Sequence, residues 1–485
     1  MLKAELILQY IAIKSLPMVT LPVPRDQRTN SRTDMNANHD PFVLKLPPEI
    51  GSHIFLLSMG ERDTIEVNQR KVMALPTPFL LGAVCRGWRQ LAWSTPELWT
   101  SLAFSFSDSM DSVKIPHLVA DWLERSGSLP LTLKVSYPFD SMDSDDLVEF
   151  KPIMDTLDQH SGRWYEINFA LPSEWLCDSS PPKNFLRSLS ISYAWRGIGY
   201  PGFKMNTRPS PMYVTVHGIP LNTVHIAWDN LVHLSLHCPT SDGVLQVIRD
   251  APLLEICSLS LISPPNHVSP PDTIIRHSHL RTLELSWIAT AVFTELTNSL
   301  ELPPLETWTV RSTKNIIGAD AISFLKRSGS GLKTFNLWQR PVPTVEDFER
   351  FLQAASHLQR LSVGTRSNPF SLVMDRILER ISVSPPSACA AIFLPDLQIL
   401  RLSGSVLNGW VYIPLIFRWP HRKLLSLDVQ MRSIEIGDEI SRTLVQLVDE
   451  GIDLRIFNSA DEEDYISRCR RLFFAPQTTS INTAL

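Results

Sequence analysis

The chain has 485 residues, of which 44% are hydrophobic and 20% charged, a composition typical of a folded protein with two or more domains or one elongated array. Its 45 basic and 50 acidic residues give a net charge of -5, so charge does not support a general nucleic-acid or anionic-membrane role. The six cysteines form no Cys-x-x-Cys pair, and the sequence contains no clean signal-peptide core, no glycosylation sequon and no bilayer-spanning stretch. These features favour a reducing cytoplasmic or nuclear location, with no membrane and no nucleic-acid partner.

The chain divides by composition into four predicted regions. Residues 1–41 are predicted to be a disordered tail, because residues 14–41 are polar and contain few large apolar groups. We then predict a helical module over residues 42–105, a linker helix within 106–130, and a repeat domain over 131–485.

Two amphipathic helical runs are predicted in the helical module. Pro48 and Glu49 suit a helix start, and Ile50, Ile54 and Leu57 recur at spacings of four and three, which predicts one apolar face. After a polar stretch, a second run is predicted from Phe79 to Ser94. Its apolar stripe consists of Leu81, Val84, Cys85, Trp88 and Leu91. Helices this few and short need a partner or a neighbouring domain to be stable.

These helices carry the residues of a known motif. The order is Leu46-Pro47-x-Glu49-Ile50-x-x-x-Ile54-Phe55, then Val84-Cys85-Arg86-x-Trp88-Arg89-x-Leu91-Ala92, then Thr95-Pro96-x-Leu98-Trp99. This order resembles an F-box, in the version typical of the large F-box-like family of mushroom-forming fungi. The connection from Met59 to Pro78 is longer than in most F-boxes.

The resemblance implies docking to a Skp-type adaptor and, through it, to a cullin. Carried over to this sequence, Leu46, Pro47 and Ile50 would meet the adaptor first. The core and the adaptor-facing ridge would be formed by Leu81, Val84, Cys85 and Trp88. The implied function is that of a substrate-recognition subunit of a ubiquitin ligase; the alternative is a protein-interaction scaffold that acts outside any ligase.

A second pattern recurs along the rest of the chain: an apolar residue, two variable residues, an apolar residue, one variable residue and an apolar residue. The copies begin at Leu231, Leu254, Leu280, Leu305, Leu332, Leu358, Leu397 and Leu424. Seven intervals separate them; six span 23 to 27 residues and one spans 39, close to the leucine-rich-repeat period of about 20–29. Weaker copies begin at Trp164, Leu186 and Leu221.

The alternation inside each copy predicts a strand, and helix-like runs lie between copies. Such runs are Val244 to Ile248, Ile322 to Leu325, and Val345 to Leu352. We therefore predict an α/β fold: a small helical F-box followed by an irregular leucine-rich-repeat-like solenoid with parallel strands. The Asn or Cys that normally closes each repeat's loop is mostly missing, so the turns must be closed otherwise, for which the recurring prolines are candidates. A mixed α/β domain with chance leucine phrases is the alternative.

Within each predicted strand, the residues between the leucines point to the opposite face, which is where such repeats bind. That face is polar, carries both signs of charge and includes one large aromatic, Trp338. The predicted contacts to an unknown target protein are His233, Glu284, Arg311, Trp338, Arg360, Arg401 and Asp428. Trp and Arg are the expected anchors, because a few such residues usually dominate binding.

We find no motif for catalysis, for a cofactor or for a metal. No P-loop, dinucleotide-binding, nucleophile-elbow or zinc-protease motif occurs. His225, His233, His237 and Cys238 are close in sequence, but no carboxylate accompanies them on the strand and Cys238 points away. The sequence is thus interpreted as a non-enzymatic protein that requires no cofactor.

Overall fold

The computed structural model describes residues 46–59, 77–105, 114–137, 144–171, 185–193, 207–265, 274–312, 316–329, 331–339, 343–364, 371–383 and 392–474. The predicted tail, 1–41, lies outside these ranges. The described residues form two compact units: a small one comprising 46–59 and 77–98, and a large one that begins at Trp99.

The small unit is helical. Its helices are α1 Pro48–Ser58, α2 Thr77–Val84 and α3 Arg86–Trp93, and a 3₁₀ turn follows at Pro96–Trp99. Helix α1 begins where the sequence predicted, because Pro48 lacks an N–H that would need a partner in the first turn.

The prediction of a single helix from Phe79 to Ser94 is wrong, because the structure has two helices there, α2 and α3. The chain is extended at Cys85 (φ -155°, ψ 174°), and the Cys85 Sγ accepts a hydrogen bond from the backbone N–H of Trp88 at 3.4 Å. Cys85 is therefore the N-cap of α3 and separates it from α2. Arg89 ties the two helices together, since its Nε donates to the Gly82 carbonyl at 2.8 Å.

The large unit is built on a sheet of 15 strands in which each strand pairs with the next one along the chain, apart from two short strands, β8 and β10, that pair with each other. Every pair is parallel except the last, β16 with β17. The strands are β1 Ser101–Ser105, β2 Leu131–Ser136, β3 Trp164–Leu171, β4 Ser188–Tyr193, β5 Tyr213–His217, β6 His233–His237, β7 Ile256–Ser260, β8 Ile275–Arg276, β9 Thr282–Ser286, β10 Leu300–Glu301, β11 Thr307–Ser312, β12 Thr334–Gln339, β13 Arg360–Gly364, β14 Ile399–Gly404, β15 Ser426–Met431, β16 Leu454–Asn458 and β17 Glu463–Asp464.

Helices fill many of the connections, as parallel neighbours require a crossover. They are α4 Lys114–Arg125, α5 Ser144–Gln159, α6 Ser241–Asp250, α7 Thr290–Ser299, α8 Ala319–Ser328, α9 Val345–Ala354, α10 Ser371–Ser382, α11 Tyr412–Ile416, α12 Asp438–Asp449 and α13 Tyr465–Phe474. All 13 helices of the described ranges are too short or too polar to span a bilayer. The predicted α/β class and its parallel strands are confirmed: the fold is mixed α/β with a large, mostly parallel sheet.

The core lies on the leucine face of this sheet. In most strands, buried and half-buried residues alternate, so one face is covered and the other is not. The covered face packs against the helices; the Trp308 ring of β11, for example, contacts Phe324 of α8 and Phe351 of α9. The eight strong leucine phrases all place their last two apolar residues in strands.

One predicted phrase is not a strand. Leu221–Thr223 forms a 3₁₀ turn after Pro220, and the strand in this part of the chain is β5, Tyr213–His217, which the sequence analysis missed. The sheet also begins with β1, inside the range 42–105 assigned to the helical module, and ends beyond the last phrase with β16 and β17.

Left-handed residues directly follow four strands of the sheet: β5, β6, β7 and β9. They are Gly218, Cys238, Leu261 and Trp287, with φ of 67°, 59°, 51° and 58°. The N–H of each donates to a backbone carbonyl of the next strand in the sheet. The acceptors are the carbonyls of His237, Ser260, Ser286 and Arg311 respectively. Backbone hydrogen bonds, rather than prolines or an Asn side chain, therefore close these turns, although a left-handed non-glycine residue costs about 1 kcal/mol.

His277 should make the large unit acid-sensitive. Its ring is buried; Nε2–H donates to the Ala251 carbonyl at 2.9 Å, and Nδ1 accepts from the Leu280 N–H at 3.0 Å. Burial lowers the pKa of His277, and the neighbouring His279 lowers it further. A second ring proton would point at the Leu280 N–H, so folding favours the neutral ring.

The sign of the effect follows from proton binding. The unfolded chain binds the proton below the ordinary histidine pKa of about 6.5 and the folded chain resists it, so stability falls as the pH drops below that value. Urea unfolding across this range should show a shallower pH dependence in His277→Gln than in the wild type. His225→Gln, which removes an exposed histidine, is the control; an unchanged slope in His277→Gln would contradict the assignment.

Candidate interaction surfaces

The small unit presents apolar side chains outwards. On α1 the buried residues are Gly51 and Phe55, whereas Ile50 is 49% exposed and Leu57 is 74% exposed. The exposed large apolar residues of this unit are Leu46, Ile50, Ile54, Leu57, Leu80 and Val84, which we call the apolar helix surface.

Inward contacts hold α1 in this orientation. The Phe55 ring packs on the Trp88 indole with centroids 5.0 Å apart. Thr95 donates its hydroxyl hydrogen to the Leu91 carbonyl, so Ser52 is the donor in the 2.8 Å bond between the Ser52 and Thr95 hydroxyls. The helix is thus fixed by one face, and its predicted apolar stripe, Ile50 to Leu57, faces away from the partners that fix it.

The residues predicted to bind an adaptor fall into two groups. Leu46, Pro47, Ile50 and Val84 are exposed, whereas Leu81, Cys85 and Trp88 are half-buried. The half-buried group includes the inter-helix junction at Cys85 and the ring that supports Phe55. The exposed group is available for contact, and the other residues maintain the shape that presents it.

The uncovered face of the sheet brings the predicted target-binding residues into three rows across the strands. The first row includes His233 and Arg360, the second includes Glu284, Arg401 and Asp428, and the third includes Arg311 and Trp338. We call this surface the open sheet face. Neighbouring strands are about 4.8 Å apart, so Arg311 and Trp338, which are paired in register, are adjacent.

Some of these side chains already have partners. Glu284 accepts a hydrogen bond from the Ser258 hydroxyl at 3.0 Å, and the His233 ring lies 4.9 Å from the Tyr213 ring. Arg401 and Asp428 form a long ion pair at 3.9 Å. These partners make His233 and Glu284 weaker binding candidates than the residues nearer Trp338.

Trp338 rests on a glycine. A Cβ atom built on Gly364, the residue paired with Trp338 on β13, would lie 2.4 Å from the indole Cε3. Only glycine lets the ring lie flat on the neighbouring strand, and the indole remains 43% exposed. Beside it is a depression of about 400 Å³, lined by Asn336, Ser362, Arg401, Asp428 and Gln430 among others.

The histidines of this face do not form a metal centre. His237 Nδ1 is 2.7 Å from the Ser260 hydroxyl, and its ring stacks on His217 at 4.9 Å. Within the described ranges, no group of three or more His, Cys, Asp or Glu side chains is arranged to hold a metal ion.

Two residues of this surface were missed by sequence reasoning. Gly364 could have been found, because aligning the repeats pairs it with Trp338. Trp287 lies outside the alternating phrase; it directly follows β9, its backbone is left-handed and its side chain is 55% exposed. No pattern of residue types indicates that conformation for a tryptophan.

Comparison with known proteins finds no family model that matches this chain and no curated protein that is similar to it.

Proposed function

We propose that this protein is a substrate-recognition subunit of a Skp-cullin-F-box type ubiquitin ligase. The apolar helix surface would dock a Skp-type adaptor, and the open sheet face would hold a target protein. The chain would supply proximity between the target and a separate conjugating enzyme, not reactive groups.

The observation that carries the proposal is the outward orientation of Leu46, Ile50, Ile54 and Leu57. Exposed apolar side chains that follow one helix face mark a protein-interaction site. The sequence around them resembles an F-box, and such a motif would use Leu46, Pro47 and Ile50 to meet the adaptor. The exposure of these side chains and the resemblance to an F-box therefore both support Leu46 and Ile50 as adaptor-binding residues.

The open sheet face supports the second half of the proposal. It leaves polar and charged side chains uncovered along a row of parallel strands, and it presents Trp338 and three arginines. Such residues are the common anchors of protein interfaces. The open sheet face belongs to the large unit and the apolar helix surface to the small one, so the two proposed contacts use different residues.

The proposal is tested by co-precipitation with a purified Skp-type adaptor, with and without a cullin. The wild type should retain both, and the double variant Leu46→Ala, Pro47→Ala should lose both, because its apolar contact area is reduced. Retention of the adaptor by the double variant would show that the docking residues are wrongly assigned. Binding of the adaptor without the cullin would favour the scaffold function instead.

A further inference from the structure

Trp287 combines exposure with an unfavourable backbone. It follows β9 with φ 58°, a conformation in which a bulky residue is strained, and its side chain is 55% exposed. The backbone hydrogen bond that closes the turn accounts for this conformation, as it does at Cys238 and Leu261. The turn does not account for a large exposed aromatic side chain, and tryptophan is a common anchor of protein interfaces.

Trp287 is the first member of a three-residue array. Its N–H donates to the Arg311 carbonyl at 2.6 Å, and Arg311 pairs in register with Trp338. Trp287 directly follows β9, and Arg311 and Trp338 lie near the carboxyl ends of β11 and β12, so the three backbones are neighbours at one edge of the sheet; all three residues are exposed. Two strand spacings place the two tryptophan backbones about 10 Å apart, with the arginine between them.

The charge around this array is predominantly positive. Among the described side chains, no carboxylate lies within ion-pair distance of Arg311 or Arg360, and Arg401 has only the 3.9 Å contact to Asp428. Elsewhere in the same unit arginines are closely paired: Arg376 lies 2.7 Å from Glu349. The array can therefore accept a carboxylate without breaking an existing ion pair.

We propose that Trp287, Arg311 and Trp338 form the target-binding anchor, and that they bind an acidic polypeptide segment with large apolar side chains. The apolar side chains would rest on the two indoles, and a carboxylate between them would bind Arg311. This inference deepens the target-binding half of the proposed function and rests on it. It does not depend on adaptor docking.

A polypeptide fits this surface better than a nucleic acid. Tryptophan and arginine can also bind bases and phosphates. However, Glu284 and Asp428 lie on the same face as the arginines, so this face offers separate sites for single carboxylates rather than an unbroken row of cations for a continuous phosphate backbone.

The test uses the full chain and a phage-displayed library of short random peptides. Wild-type protein should enrich peptides that have an excess of Asp and Glu and at least one large apolar residue. Their affinity should fall about tenfold or more for Trp287→Ala with Trp338→Ala, since interface tryptophans contribute heavily. Arg311→Glu should lose the acidic peptides and enrich basic ones.

Matched controls change the same chemistry elsewhere. Arg249→Glu reverses an exposed charge on α6, and Leu424→Ala truncates an exposed apolar residue before β15; both should keep wild-type peptide binding. The proposal is overturned if no peptide is enriched, if enriched peptides lack an acidic excess, or if the tryptophan variants bind them equally. It is also overturned if an oligothymidylate binds in a manner that Arg311→Glu abolishes. Adaptor co-precipitation by the same variants should be unchanged, which separates this failure from failure of adaptor docking.

Discussion

Replacing Trp308 with alanine is expected to lower the free energy of unfolding by about 3–5 kcal/mol. The side chain is fully buried, and its ring contacts Phe293, Phe324, Phe335 and Phe351, with centroid separations of 5.1 to 6.2 Å. These rings come from three helices and the neighbouring strand. The loss would therefore open a cavity where these helices pack on the sheet, and rigid aromatic neighbours can fill it only in part.

Trp338→Ala is the matched control, because it makes the same chemical change on the open sheet face. Its indole is partly exposed, so its loss should cost about 1 kcal/mol or less. Urea unfolding of both variants measures the difference. Equal destabilisation would contradict the assignment of the core to the leucine face.

The second large effect is expected at Arg422, whose side chain is buried and has no acidic partner among the residues that the structure describes. Its Nη1 donates to the Leu394 carbonyl at 2.8 Å and its Nη2 donates to the Phe393 carbonyl at 2.6 Å. Burial lowers the pKa of Arg422. These bonds hold the end of the long connection between β13 and β14. This connection accounts for the 39-residue interval between the leucine phrases that begin at Leu358 and Leu397.

Arg422→Ala should lower the free energy of unfolding by about 3 kcal/mol or more, because a buried and a partly buried carbonyl lose their donors and a cavity forms. Arg422→Lys should recover part of the loss, since an ammonium group can reach one carbonyl. Arg432→Ala, at an exposed position just after β15, should be close to wild type in thermal melting. A stability of Arg422→Ala within about 0.5 kcal/mol of wild type would show that these hydrogen bonds do not hold the connection.

The sequence predicts the repeated strands well, because their signal is local. An alternation of apolar and polar residues marks a strand with one covered face, and β6 to β15 follow it, except for the short strands β8 and β10. Strand β5 was missed because Tyr213-Val214-Thr215-Val216-His217 lacks a leading leucine, whereas Leu221 offered the right spacing on a turn.

Other features depend on properties that residue types do not encode. The apolar stripe continues on both sides of Cys85. The spacing of apolar residues therefore predicted one helix where the structure has two, α2 and α3. The sequence predicts an apolar stripe on α1 but not whether the stripe faces the core or the solvent. Ile50 faces out because Phe55, one residue after Ile54, makes the inward contact with Trp88. Trp338 is exposed, as its place in the alternation predicted, whereas the exposure of Trp287, which follows β9 in a left-handed conformation, was not predicted.

The central claim is that the apolar helix surface docks a Skp-type adaptor, and calorimetric titration of the purified adaptor into the full chain tests it most directly. The wild type should bind, and Ile50→Asp should weaken binding by about tenfold or more, because a charge would replace buried apolar area. Leu424→Asp, which places the same charge on an exposed apolar position of the large unit, should bind like the wild type. Equal affinity of Ile50→Asp and wild type, or no binding by either, would contradict the account.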